Sequence, residues 1–202
     1  MQKMYSTLRD YLAESSALLT ASAAVISQPA VDAAVDAIVR ALSAGKPLLV
    51  CGNGGSACDA MHITGELVAR FLEERRALKA ICLSDNSAVL TAWSNDRGFS
   101  TAIARQVEAY GEPGAVLLGI STSGNSENIL AAFARAREMG MFTVALTGEG
   151  GGKTAALTDC LLAVPSRNTP LIQQVHVCIY HYLCQRIEQR MMESDSAAGP
   201  RL

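Results

Sequence analysis

The chain has 202 residues, half of them hydrophobic and 18% charged, with a net charge of −2 and no run of Lys or Arg. That length suits one domain with a sizeable core, burying roughly 70% of the unfolded surface, and so little charge favours a globular chain that also buries surface in partners. The electrostatic footprint of a nucleic-acid binder is missing, no apolar segment is long enough to span a bilayer, and MQKMYSTLRDYL lacks a signal-peptide core, so a cytoplasmic protein with no nucleic-acid or membrane partner is expected.

From Met4 to about Ser27 apolar residues recur at helical spacing, and a second helix is predicted from about Ala30 to Ala44, stopped by Gly45. Both precede the first strand. They cannot be sheet crossovers, so they are expected outside the α/β core or against another subunit. The apolar run Pro47 to Cys51 reads as a buried strand, the loop Gly52 to Ser56 follows, and a helix begins near Ala57. The mixed charges of Glu73 to Arg76 read as a solvated connection.

Further strands are predicted at about Leu78 to Leu83, Ala115 to Ile120, Phe142 to Thr147 and Leu161 to Val164. Helices are predicted at Ala88 to Ser94, Phe99 to Tyr110, the stretch ending at Met139, and Pro170 to about Met192. Strands alternating with helices argue for a three-layer αβα sandwich around a five-stranded parallel sheet, with ligands beyond the carboxyl ends of the strands. Residues 1–192 are expected to form one domain and 193–202 a disordered tail. Six cysteines without a CxxC pair are expected to be reduced and structural.

Two strand-to-helix loops carry the chemistry. The glycines of Gly52-Asn53-Gly54-Gly55-Ser56 let backbone N–H groups approach an anion closely. Ser121, Thr122, Ser123 and Ser126, before the third strand's helix, could hold several phosphate oxygens without a cation, although such a cluster could also merely cap the helix. GEGGGKT, Gly148 to Thr154, ends like a Walker loop but follows a late strand, and reads as a flexible turn.

His62 and Glu66 are four apart on one helix face, which suits two ligands of one metal or an acid and base at one carbon. On the last helix Gln173 and His181 are eight apart, about 12 Å of rise and roughly 80° of rotation. That separation strains a shared site, so either the helix start is distorted or one of the two serves a site shared with a neighbouring chain. His176 points elsewhere and reads as structural or as a support for the site.

CGNGGSACDAMH, LLGISTSGNS, the SND around Asp96 and IQQVHVCIYH together resemble the phosphoheptose isomerases of the sugar isomerase (SIS) fold, over nearly the whole chain to about Arg190. The resemblance implies a flavodoxin-like SIS domain preceded by two helices, assembled as a homotetramer with sites at subunit interfaces. The implied reaction converts sedoheptulose 7-phosphate into D-glycero-D-manno-heptose 7-phosphate for bacterial heptose precursors. One zinc ion per subunit is implied on His62, Glu66, Gln173 and His181. Substrate contacts are implied at Asn53, Gly54, Gly55, Glu66, Asn95, Asp96, Ser121, Thr122, Ser123, Ser126 and Gln173. Interconverting a ketose and an aldose moves a proton between carbons, for which Glu66 is expected as base and His181 as acid/base partner. The rival reading is a non-catalytic SIS-fold protein that binds a sugar phosphate or associates with a replication initiator.

Overall fold

The computed structural model of the chain describes residues 4–198. Strands β1 (Leu48–Gly52), β2 (Ala80–Cys82), β3 (Val116–Ser121), β4 (Phe142–Thr147) and β5 (Cys160–Ala163) form one all-parallel sheet in the order β2-β1-β3-β4-β5. Every residue of β1 and β3 is buried, as helices on both faces require of a parallel strand. Alternation along the strands divides the core. Leu48 and Val50 with Leu118 and Ile120 face one layer, and Leu49 and Cys51 with Leu117 face the other. Each such side chain, fully buried, contributes about 1.5–3 kcal/mol.

The second layer is built by α5 (Ala102–Tyr110) and α6 (Glu127–Glu138), through Ile103, Val107, Ile129 and Phe133. The first is built by α2 (Gln28–Ser43), α3 (Gly55–Val68) and α7 (Thr169–Ala198). This corrects the expectation for the leading helices. α2 is not a crossover, yet its stripe of Val31, Val35, Ile38 and Leu42 is buried in the same cluster as β1, β3 and β4.

α1 (Leu8–Val25) does lie outside the sheet, against α7, where Gln174 Nε2 donates to the Tyr11 hydroxyl at 2.8 Å. Its two buried residues are Ser15 and Ser22, whose hydroxyls turn back onto the carbonyls of Tyr11 and Leu18. Its apolar side faces outward: Leu8 is 71% exposed, Leu12 56% and Val25 59%.

α4 (Ser87–Arg97) and a 3-10 turn at Phe99–Thr101 join β2 to α5. α7 extends past Met192 to Ala198, and along its end Arg190 pairs with Asp36 on α2 at 2.9 Å and Asp195 with Arg76 at 2.8 Å. Residues 199–202 of the expected tail lie outside the described residues. Among the described residues no single helix is long and apolar enough to cross a membrane.

The charged connection after α3 is not wholly solvated. Arg75 is buried against Glu188 with 3% of each side chain exposed.

Candidate functional site

The chain runs from β1 outward to β2 and then returns to place β3 on the other side of β1, so the sheet's switch point lies between β1 and β3. In open parallel sheets the crevice at that point receives the ligand. The two loops singled out above leave the sheet there, side by side, since Gly52 pairs with Ile120.

Gly54 has φ 55° and ψ −123°, a conformation that disfavours any side chain, and Gly55 opens α3. A Cβ on Gly55 would lie 2.5 Å from Gln173 Nε2, so a bare backbone is what lets Gln173, just past the first turn of α7, reach the loop. Asn53 is held by a reciprocal amide pair with the buried Asn128 of α6, each Nδ2 donating to the other's Oδ1 at 2.8 Å. The Ser84 hydroxyl fastens the preceding residue, accepting from the Gly52 N–H at 3.1 Å and donating to its carbonyl at 2.8 Å.

On the β3 side, Ser126 occupies the N-cap position of α6 but makes no side-chain capping bond. Its hydroxyl instead lies 3.2 Å from Ser121 Oγ. Hydroxyls that served only to cap the helix would be turned onto α6, so this geometry favours a ligand-binding loop. The turn after β4 is no loose segment. Gly148 N donates to the Thr122 carbonyl at 3.0 Å, Lys153 N to Asn125 Oδ1 at 3.1 Å, and Thr154 Oγ1 to the Gly124 carbonyl at 2.9 Å. These bonds brace the hydroxyl loop from behind.

α3 and α7 run alongside each other from this edge. His62, Glu66 and His181 meet between them: His62 Nε2 is 3.0 Å from Glu66 Oε1, and the rings of His62 and His181 are 5.0 Å apart. One ligand atom from each of the three lies within 4.8 Å of the others. Two imidazoles and a carboxylate that leave a position open are a donor set for a catalytic divalent metal such as zinc.

The surroundings fit that use. Tyr180 OH lies 3.0 Å from His62 Nδ1, so the ring's second nitrogen is engaged and Nε2 is aimed at the trio. Behind Tyr180 stands Asp59, whose Oδ2 is buried without a hydrogen-bond partner. Burial raises the Asp59 carboxyl above its ordinary value, against the opposing pull of His62 and of a bond from Tyr180. The phenol of Tyr180 is pushed up to about 12, first by burial and then by the charge of Asp59.

Gln173 stands apart from the trio. Its amide lies at Gly55, and His62 is seven residues further along α3, about 10 Å of rise. α7 is helical without interruption from Thr169, so within one chain Gln173 and His181 remain eight residues apart along it. Asn95 and Asp96 are exposed in the last turn of α4, hydrogen-bonded to each other at 3.1 Å. His176 is buried 3.1 Å from the Thr147 carbonyl, with Nδ1 unpartnered, and burial pushes its imidazole down to about 4. It is a structural histidine at the end of β4.

Four supporting residues were not singled out from the sequence: Asp59, Tyr180, Asn128 and Phe71, whose ring stacks on His181 at 5.7 Å. Tyr180 and Asp59 do carry a signal, since each lies next to or one turn from a histidine of the trio. Asn128 carries none, because its partner is 75 residues away.

The SIS domain family model matches residues 10–148. A phosphoheptose isomerase of Nitratidesulfovibrio vulgaris is 48% identical over 161 residues, covering 80% of this chain and 77% of that protein. Among solved structures, a phosphoheptose isomerase from Francisella tularensis is similar at a TM-score of 0.86 and 40% identity, covering 90% of this chain and 96% of that one. One from Neisseria gonorrhoeae is similar at 0.85 and 38%, covering 90% and 97%.

Proposed function

The chain belongs to the phosphoheptose isomerases of the SIS domain family, and from that membership we propose that it converts sedoheptulose 7-phosphate into D-glycero-D-manno-heptose 7-phosphate through an enediol. The convergence of His62, Glu66 and His181 carries this reading, because a receptor that only binds a sugar phosphate needs no base and acid/base pair at one point.

The hydroxyls of Ser121, Thr122, Ser123 and Ser126, with the N–H groups at the head of α6, hold the phosphate, and this remote binding orients the reacting end of the sugar. Asn53, Gly54, Gly55 and Gln173 line the neighbouring loop and take the sugar hydroxyls; Asn95 and Asp96 reach a substrate from the exposed end of α4. Glu66 turns Oε1 toward His62, leaving Oε2 to take the proton from C1 of the ketose. His181 protonates the C2 oxygen and receives the proton from the C1 hydroxyl. Glu66, whose acquired proton exchanges with solvent while the enediol is bound, then protonates C2, which completes the aldose.

His62, Glu66 and His181 would hold a divalent ion, zinc by the nature of the donors, and such an ion would polarise the two substrate oxygens. The fourth ligand role expected of Gln173 needs a neighbouring chain's copy, since this chain's own amide stands at Gly55. The outward leucines of α1 support an assembly in which that face is covered, a homotetramer in the family pattern. Six free cysteines suit a reducing compartment such as the cytoplasm.

Incubating the purified chain with sedoheptulose 7-phosphate and following the sugar by NMR tests the reaction. The aldose should appear with the wild type and not with His181→Ala. A bound but unchanged ketose would identify a receptor instead.

A further inference from the structure

Phe71 is the one residue between α3 and β2 whose ring touches the catalytic trio, stacked on His181 with planes 20° apart. The segment that carries it, Ala69 to Lys79, has no helix or strand of its own, so something else must hold the ring in place. Glu188 does so. It lies seven residues beyond His181, two turns further along the same face of α7. Its carboxylate, in a residue only 2% exposed, accepts from the N–H groups of Phe71 at 2.9 Å, Leu72 at 2.8 Å and Glu73 at 3.1 Å.

Arg75 completes the arrangement. Its Nε faces Glu188 at 3.2 Å as an ion pair rather than an aligned hydrogen bond. Its other nitrogens turn back on the end of α3, where Nη2 donates to the Glu66 carbonyl at 2.7 Å and Nη1 to the Ala69 carbonyl at 3.0 Å. One buried ion pair therefore touches the backbone of the proposed base on one side and, through Phe71, the ring of the proposed acid/base group on the other. A buried ion pair is weak evidence for stability, since an apolar pair of the same volume often serves as well. An apolar pair could not, however, gather three successive N–H groups and a helix-end carbonyl into one fixed register.

We propose that Glu188 and Arg75 are positioning residues of the isomerase site, fixing the orientation of His181 through the Phe71 ring and the end of α3 through the Glu66 carbonyl. The assignment rests on the isomerase reading for its catalytic consequence but not for its geometry. The two therefore fail separately.

The test uses the full chain with Phe71→Leu, Phe71→Tyr and Glu188→Gln. In isomerisation of sedoheptulose 7-phosphate, Phe71→Leu should lower kcat about tenfold at nearly unchanged KM, because the phosphate grip is remote, and Phe71→Tyr should restore it. Glu188→Gln presents an NH2 group where acceptors are needed and should lower kcat at least as much. Independently of activity, the His181 ring protons should show an aromatic ring-current shift by NMR in the wild type. Because the Tyr180 and His62 rings also lie 4.8 and 5.0 Å from His181, that shift should change in Phe71→Leu by the part a stacked ring contributes, stay as in the wild type in Phe71→Tyr, and change in Glu188→Gln. A wild-type kcat in Phe71→Leu, or His181 ring shifts that are the same in the wild type and in Phe71→Leu, would overturn the proposal. An inactive wild type with the ring shift present would refute the isomerase and leave the positioning intact.

Discussion

The hydroxyl of Tyr180 lies 3.0 Å from His62 Nδ1, so two residues 118 apart in the chain fix which nitrogen of that histidine faces Glu66 and His181. A phenol pushed up to about 12 stays protonated at any physiological pH, and it can donate to Asp59 while accepting from the ring. Replacing Tyr180 with Phe keeps the packing and removes only that oxygen. Zinc affinity should fall roughly 10- to 100-fold with the fold intact, as measured by competition with a chelating dye and by circular dichroism. Unchanged affinity would show that the hydroxyl does not orient the ligand.

The Ser121 and Ser126 hydroxyls lie 3.2 Å apart in the loop proposed to hold the phosphate, and Ser126 leaves α6 uncapped by its side chain. Hydrogen bonds to a charged group contribute about 1.5–3 kcal/mol each, so Ser121→Ala or Ser126→Ala should raise KM by about tenfold or more. Because the loop is remote from the carbons that react, kcat should fall less. A loss of thermal stability with unchanged KM would mean that the hydroxyls serve only the fold.

How much of this was legible follows from which interactions are local. β1, β3 and β4 are continuous apolar runs between glycine or hydroxyl punctuation, so their places and the sandwich follow from pattern alone. His62 and Glu66 were legible as a pair because one helical turn sets their spacing. The position of α2 was not, because the rule that a crossover lies between strands says nothing about a helix that arrives first and still finds sheet to cover. Arg75 was misread for a related reason. Its neighbours Glu73, Glu74 and Arg76 are exposed, and only a carboxylate on α7, far along the chain, takes it inside.

His176 carries a pH dependence whose sign is fixed by burial. The unfolded chain takes up its proton near 6.5, whereas the folded chain resists until about 4. Its effect is absent above pH 6.5 and stability is lost progressively as pH falls from there toward 4, by a total on the order of 3 kcal/mol. Urea midpoints at pH 7.5 and 4.5 should show the drop, and His176→Gln should flatten it. An equal drop in the variant would place the effect on other groups.

The leucines of α1 make a separate prediction. Leu8→Asp with Leu12→Asp puts charge on a face that is already exposed in one chain, so the protomer should keep its secondary structure. If that face is covered by a second copy, light scattering should show the assembly falling to smaller species. An unchanged mass would assign the assembly to another surface.

The central claim is that Glu66 moves a proton between two carbons of the sugar. Running the reaction in deuterated water and reading C2 of the aldose by NMR tests it most directly. Wild type should incorporate solvent deuterium there, and Glu66→Gln should give neither label nor product, whereas partial metal loss should leave measurable turnover. An aldose whose C2 carries only the hydrogen removed from C1 and no solvent label, or a labelled product from Glu66→Gln, would contradict it.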